Sequence, residues 1–466
     1  MTLAAASLAI GAWAEGYQIN SLSAKQLGMG HTGIAMKLGA ESMFFNPAGM
    51  AYMDKTLDLS GTFVGLMAHC TTTMDGAEYK TDNGVATPFS INAAFSIYDN
   101  LKAGISLYTP YGSSINWGDN WPGAVLNQNV DLKVFTIQPT FSWAITPKFS
   151  IGAGAMISWG SVDLNKGLVS GQSADHAIGV LRQLGQLPGT FPAGFTGFGN
   201  TTPASVNLNG TAKVTVGLNI GAMYNINDNL TVGLSYRTKM NMKVQKGNAS
   251  VTPANEVASA LMGETLNLIN NANFEAQMPC PWVLGMGVSY KPVEKLTLAF
   301  DARLTGWNAY KTLDIEFLAD QLKDYNQNIP KNYKNAWCFS LGGQYAVTDR
   351  FDARLGIMID TTPVRIDYYN PETPGMTKLE PTVGLSFRPF PRLSIDLAFM
   401  YVAGMGRNNT SCTYDDLLGK TMIKRLTAAG LPESAIAGMG FQAQRTIHAD
   451  YKLHAFNPSI GFSYSF

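Results

Sequence analysis

From Thr56 onward, apolar residues recur at every second position. Leu393, Ile395, Leu397, Phe399 and Tyr401 alternate with Ser394, Asp396, Ala398 and Met400. Val214, Val216, Leu218, Ile220, Ala222 and Tyr224 do the same against Thr215, Gly217, Asn219, Gly221 and Met223. Leu230, Val232, Leu234 and Tyr236 continue the pattern, with further runs at 89–97, 149–159, 282–290, 296–304, 337–347 and 351–359. A period of two places the apolar side chains of each run on one face, so each run reads as a β-strand. The opposite face carries Gly, Ser, Thr and Asn with isolated Asp and Arg. A soluble sandwich alternates in the same way, so the connections must decide the class.

Successive runs are joined alternately by short and by long links. Tyr98-Asp99-Asn100, Thr146-Pro147-Lys148, Asn227-Asp228-Asn229, Pro292-Val293-Glu294, Val347-Thr348-Asp349 and Pro389-Phe390-Pro391 hold the Asn, Asp and Pro that tight turns use. The long links run over 71–86, 112–129, 165–206, 247–275, 318–331, 367–377 and 406–447. Tight turns at one end and long loops at the other mark an up-and-down transmembrane barrel. Counting runs between links gives fourteen strands, an all-β, antiparallel barrel over 54–466. A propeller or sandwich would not segregate its loops by length in this way. Three loops carry helical spacing of their own, at 173–186, 253–270 and 415–429. The last run, Ile460, Phe462, Tyr464 and Phe466, resembles the aromatic address that barrel-insertion machinery reads.

Composition agrees with this class. Charged residues are 14% of the 466, aromatics 11%, glycines number 47 and the net charge is zero. That balance excludes a basic footprint for nucleic acid. Residues 1–14, MTLAAASLAIGAWA, read as a signal peptide with an A-x-A-like site at Ala12-Trp13-Ala14, although the usual Lys or Arg is missing. Beyond it no run of eighteen apolar residues exists, which excludes a helical membrane span. Cys70, Cys280, Cys338 and Cys412 match no metal knuckle and leave disulfides or free thiols open. The five histidines form no metal set; His448 and His454 share a strand face but stand six apart. No G-x-S-x-G, H-E-x-x-H or P-loop occurs, so the chain is expected to be neither an enzyme nor a cofactor or metal carrier.

Two features remain. Gly28, Gly30 and Gly33 spell G-x-G-x-x-G, but no buried strand precedes them and no βαβ unit follows, so a dinucleotide turn is rejected. The surrounding segment, 15–53, is too long for a lead-in and lacks period two. It reads as a compact plug for the lumen, with Phe44, Phe45, Asn46, Pro47, Ala48 and Gly49 forming its tight turn. In the third strand the clean run Leu101, Ala103, Ile105 and Leu107 meets Tyr108, Thr109, Pro110, Tyr111 and Gly112. Pro donates nothing to a ladder and Gly weakens one, so either the wall breaks here and leaves a gap towards lipid, or the strand ends at its loop.

These residues resemble the FadL family of outer-membrane long-chain fatty-acid and hydrocarbon transporters. The similarity rests on 16–20 (GYQIN), 27–30 (LGMG), 45–49 (FNPAG), 109–112 (TPYG), 307–310 (WNAY) with Leu313, and 360–364 (DTTPV), in that order along the chain. The resemblance implies a plugged fourteen-strand barrel in the bacterial outer membrane. Its ligand would be a fatty acid, hydrocarbon or other lipid, caught in a groove between the loops 165–206 and 247–275. Plug movement would then release it sideways through the wall at the third-strand kink, between lipopolysaccharide outside and membrane lipid around. Lys311 is the candidate partner for a polar ligand group. The chain departs from the family at Lys311-Thr312-Leu313-Asp314, where Asp314 stands at a position expected to be basic, and it lacks a P-D-x-D-R run. That departure leaves neutral hydrocarbons, aromatics and other lipids open beside fatty acids. A general diffusion porin and a loop-based adhesin are the competing readings.

Overall fold

The computed structural model describes residues 16–185, 187, 191–192 and 194–466, and the signal peptide read at 1–14 lies outside the described residues. The period-two runs form fourteen antiparallel strands closed into one barrel. In chain order they are β1 (Leu57–Val64 and Met67–Met74), β2 (Phe89–Tyr98), β3 (Leu101–Asn116), β4 (Asn129–Ala144) and β5 (Phe149–Gly167). They continue as β6 (Ala204–Asn227), β7 (Leu230–Arg237 and Met240–Pro253), β8 (Ala272–Cys280 and Val283–Val293), β9 (Leu296–Thr305 and Thr312–Phe317) and β10 (Gln327–Pro330 and Ala336–Ala346). The last four are β11 (Phe351–Asp360), β12 (Lys378–Phe390), β13 (Leu393–Gly404 and Arg407–Asp415) and β14 (Gln444–Ser465). Closure comes from β1 against β14, in register from Asp58 opposite Ser465 to Val64 opposite Ser459. A closed sheet pairs every strand on both sides, the condition for crossing a bilayer that supplies no hydrogen bonds.

The pattern is inside-out. Leu385 of β12 lies opposite Leu397 of β13, and both are more than half exposed on the outer surface. Their neighbours Gly384 and Ala398, also paired, are buried against the interior. The apolar face that a soluble sheet would hide is the one turned to lipid here.

Inside lies the plug. Its elements are α1 (Ala24–Leu27), α2 (Ser42–Phe45) and two 3₁₀ turns, Gly39–Glu41 and Pro47–Tyr52. Nearly all of 17–53 is buried. The plug approaches the wall so closely that glycine faces glycine: a Cβ on Gly384 would sit 2.9 Å from the Cα of Gly28. Gly30 holds φ +63° with its backbone N donating to Thr382 Oγ1 at 3.0 Å, and a Cβ on Gly356 would meet its nitrogen at 2.2 Å. Two glycines of the G-x-G-x-x-G stretch are thus explained by close packing inside a barrel.

Three longer helices sit over the loop end: α3 (Gly171–Gln183), α4 (Glu256–Ile269) and α5 (Leu417–Ala428). They fall where the loop spacing placed them, and a shorter α6 (Glu433–Gly438) follows. Val169, Ala174, Ile178, Phe198 and Ala258 form one apolar cluster that joins the loops carrying α3 and α4. None of the four cysteines is joined in a disulfide.

Candidate functional site

The third strand does not end at Pro110; it runs on to Asn116 with a shifted register. Pairing with β4 is regular to Tyr108 opposite Thr136 and resumes at Tyr111 opposite Val134. On the other edge, pairing with β2 stops at Ser90 opposite Tyr108. Beyond that point the edge of β3 is taken by the plug. Ile19 N donates to Pro110 O at 2.8 Å, Gly112 N donates to Tyr17 O at 2.9 Å, and Gln18 bridges Tyr111. As a result six successive residues, Tyr108 to Ser113, are buried, where a straight wall strand would expose every second one. At Pro110 the pairing to β2 is interrupted, and the front of the plug covers that edge.

The plug turn touches the same strand. Phe44 stacks edge-on against Tyr108 with ring centres 5.4 Å apart, and Phe45, Ile19 and Leu22 complete that cluster. Tyr108 donates its hydroxyl to Gln138 Oε1 at 2.7 Å, and Gln138 Nε2 donates to the Met43 carbonyl at 2.8 Å. Asn46, fully buried, donates Nδ2 to Ile34 O at 2.7 Å and Ala222 O at 3.1 Å, while its Oδ1 accepts from Ala48 N at 3.1 Å. It caps the 3₁₀ turn that Pro47 opens. Wall glycines make room for this turn: a Cβ on Gly221 would stand 1.9 Å from Asn46 Oδ1, and one on Gly152 2.5 Å from the Pro47 carbonyl carbon.

Other contacts hold the plug from the far wall. Asp301 of β9 accepts from Gly33 N at 2.7 Å and Ile34 N at 3.1 Å. His31, at φ +58°, is buried with neither ring nitrogen hydrogen-bonded among the described residues. Burial, with the Arg303 guanidinium in range, lowers its pKa to about 3, so the ring is neutral. Burial raises Glu41, against the pull of Lys25. Tyr17 seats its ring among Trp307 (4.8 Å), Tyr310 (5.9 Å) and Tyr111 (6.2 Å).

Between plug and loops lies a narrow apolar cavity of about 60 Å³, bordered by Tyr17, Leu132, Val134, Leu208, Met242, Phe274, Cys280 and Ile315. Above it an outer cleft of about 350 Å³ shares Leu208 and Ile315 with that cavity, so the two adjoin. The cleft takes residues from both loops expected to form the groove, Leu168 and Ile269 among them, but also from 324–330, 367–370 and 412–417. Lys311, the candidate partner for a polar ligand group, is exposed and borders neither space. A fully buried cation of this region is Lys331, ion-paired with Glu372, and Glu372 borders the cavity.

Sequence reasoning picked out both the kink and the plug turn but not that they touch. It missed Gln138, Asn219, Asp301 and Glu372. Asn219 sits opposite Gly154 and Arg237 and donates to the Met43 and Phe44 carbonyls, a contact no spacing announces.

Residues 5–443 match the family described as outer membrane protein transport protein (OMPP1/FadL/TodX). Outer membrane protein P1 of Haemophilus influenzae is 23% identical over 417 residues, covering 84% of this chain and 87% of the relative. The long-chain fatty acid transport protein of Escherichia coli K12 is 24% identical over 431 residues, covering 87% and 91%. Among solved structures, a FadL homologue from Pseudomonas aeruginosa superposes with a TM-score of 0.76 at 20% identity, covering 97% of this chain and all of the other. The toluene transporter TodX of P. putida gives 0.65 at 17% identity, covering 97% and 99%. These superpositions establish the barrel fold, and the match along 5–443 establishes that the chain is an outer-membrane protein of the OMPP1/FadL/TodX transport family.

Proposed function

We propose that this barrel carries hydrophobic molecules inward by passive, ligand-gated passage. The cargo enters the outer cleft from the lipopolysaccharide side and follows apolar side chains into the lumen cavity above the plug. It leaves sideways into membrane lipid at the kink of β3. One observation carries this reading: the plug's own backbone, at Tyr17 and Ile19, completes the broken ladder at Pro110 and Gly112. Displacing the front of the plug and opening the wall are therefore one event. Phe44 and Phe45 lie against Tyr108, so movement at the 44–49 turn reaches the same strand. The relatives named for fatty-acid and toluene transport support a hydrophobic cargo. A diffusion porin needs an open lumen, which a buried plug opposes.

The test is a reversible tether. In a background with the four native cysteines replaced, Gln18→Cys with Tyr111→Cys links the bridged pair. Uptake of a labelled hydrocarbon by proteoliposomes is expected to stop on oxidation and to return on reduction. Uptake that continues at the untethered rate through the oxidised barrel would refute the gate.

A further inference from the structure

Every charge that borders the lumen cavity already has a partner. Lys133 is paired with Asp131 at 2.7 Å, and Glu372 is paired with Lys331, whose side chain is fully buried. Lys331 also lies 6.0 Å from the centre of the Tyr310 ring, so an aromatic wall and a carboxylate enclose it. Beside Glu372, Thr373 borders the cavity with its hydroxyl bonded to Tyr333 at 2.7 Å. In the outer cleft Lys420 is held by Asp415 at 2.7 Å, while Lys166 donates to the Gln327 side-chain oxygen at 2.8 Å.

We infer that Glu372 and Lys331 act as a charge filter, which makes this cavity a site for uncharged amphiphiles with a hydroxyl head and turns carboxylates away. The inference rests on the uptake reading above and names its substrate class. A carboxylate brought into this apolar space lies beside Glu372 and finds Lys331 already neutralised. Its own hydration is lost and no unpaired cation borders the cavity to repay it, so its burial is unfavourable. A hydroxyl head donates a hydrogen bond to the Glu372 carboxylate and adds no charge, while its alkyl chain lies along the apolar wall towards Leu208 and Ile315. The pair is thus a specificity device: it keeps a buried lysine from serving as a carboxylate anchor. Removing the acid alone exposes that lysine, and removing both charges restores the neutral site.

The test compares decan-1-ol with decanoate, which share a chain and differ in the charge of the head. Equilibrium binding to the full barrel in nanodiscs is measured near neutral pH, with empty nanodiscs subtracted. The wild type is expected to hold the alcohol roughly tenfold or more above the carboxylate, reflecting the uncompensated buried charge. Glu372→Gln should narrow or reverse that ratio, and Glu372→Gln with Lys331→Met should restore it. Equal or tighter binding of decanoate by the wild type would overturn the filter while leaving hydrophobic uptake intact. An unchanged ratio in folded Glu372→Gln would also overturn the filter, and if that variant does not fold, Glu372→Ser takes its place with the same expectation. Failure of the folded wild type to bind either ligand would overturn the uptake reading, and the filter with it.

Discussion

The two ends of the lumen differ in kind. At the loop end, the space above the plug is walled by Leu132, Val134, Leu208, Met242, Phe274 and Ile315. At the turn end, a cleft of about 430 Å³ below the plug is lined by Lys25, Lys37, Asp58, Asp228, Lys291, Asp352, Arg354 and Arg388. Arg354 reaches Asp396 at 3.3 Å and Arg388 reaches Asp352 at 2.8 Å, so that end is charged and holds an ion-pair network around Arg354. An apolar solute is stabilised in the first space and gains nothing in the second, where it would only separate charges from their partners. On the proposed route, cargo descends as far as the plug and no further. The β3 kink lies at that level, with the plug on one side of it and Ser113 of the same strand bordering the cavity.

The largest expected effect comes from making the upper space resemble the lower one. Leu208→Lys places an unpaired cation where cleft and cavity meet. Hydrophobic uptake should fall roughly a hundredfold, because an uncompensated charge in an apolar site costs several kcal/mol. The barrel itself should still form, as judged by heat-modifiable mobility, since its ladder is untouched. Unchanged uptake would move the route elsewhere.

A smaller effect follows from loosening the partition between the two ends. Asn46→Ala removes the donors to Ile34 O and Ala222 O and leaves those carbonyls short of a partner. Losing such bonds costs about 1–3 kcal/mol. Steady ion conductance in planar bilayers should rise over the wild-type level as the plug spends more time undocked. If conductance stays at the wild-type level, the turn shapes the plug without holding it.

The smallest effect is in pH. His31 is buried neutral, with a pKa near 3 against an ordinary 6.5. A lowered histidine means the undocked plug binds more protons, so docking is strongest above pH 6.5 and weakens as pH falls towards 3. Glu41, raised by burial, works in the opposite sense. The readout is therefore the difference between wild type and His31→Leu. Conductance should climb more steeply with acid in the wild type, and identical slopes would remove His31 from the account of plug docking.

Much of this architecture is legible in the sequence because its causes are local. Alternation in 393–401 or 214–224 fixes strand and facing residue together, and Asn, Asp and Pro at 227–229 or 389–391 fix the turns. Pro110 announces a damaged ladder. What fills the damage is not local: Tyr17 and Ile19 meet β3 about ninety residues away through backbone groups, which leave no mark on side-chain choice. The same limit applies to Glu372, whose pairing with Lys331 bridges two loops. Lys311 was singled out by its position near a motif, but burial is a property of the folded loop, and there it is Lys331 that turns inward. Gly28 and Gly30 carried a misleading spacing, since a plug pressed against a wall and a nucleotide turn both need a missing Cβ.

The exit route is the central claim, and the direct measurement is where cargo first emerges. A fluorescent hydrocarbon is loaded from the loop side of the barrel in proteoliposomes, with a quencher fixed either on the lipid chains or dissolved in the turn-side water. The expected result is prompt quenching by the lipid-borne group and none by the aqueous one before it. Cargo quenched first in the turn-side water would show passage through the charged cleft, and would contradict lateral release at Pro110.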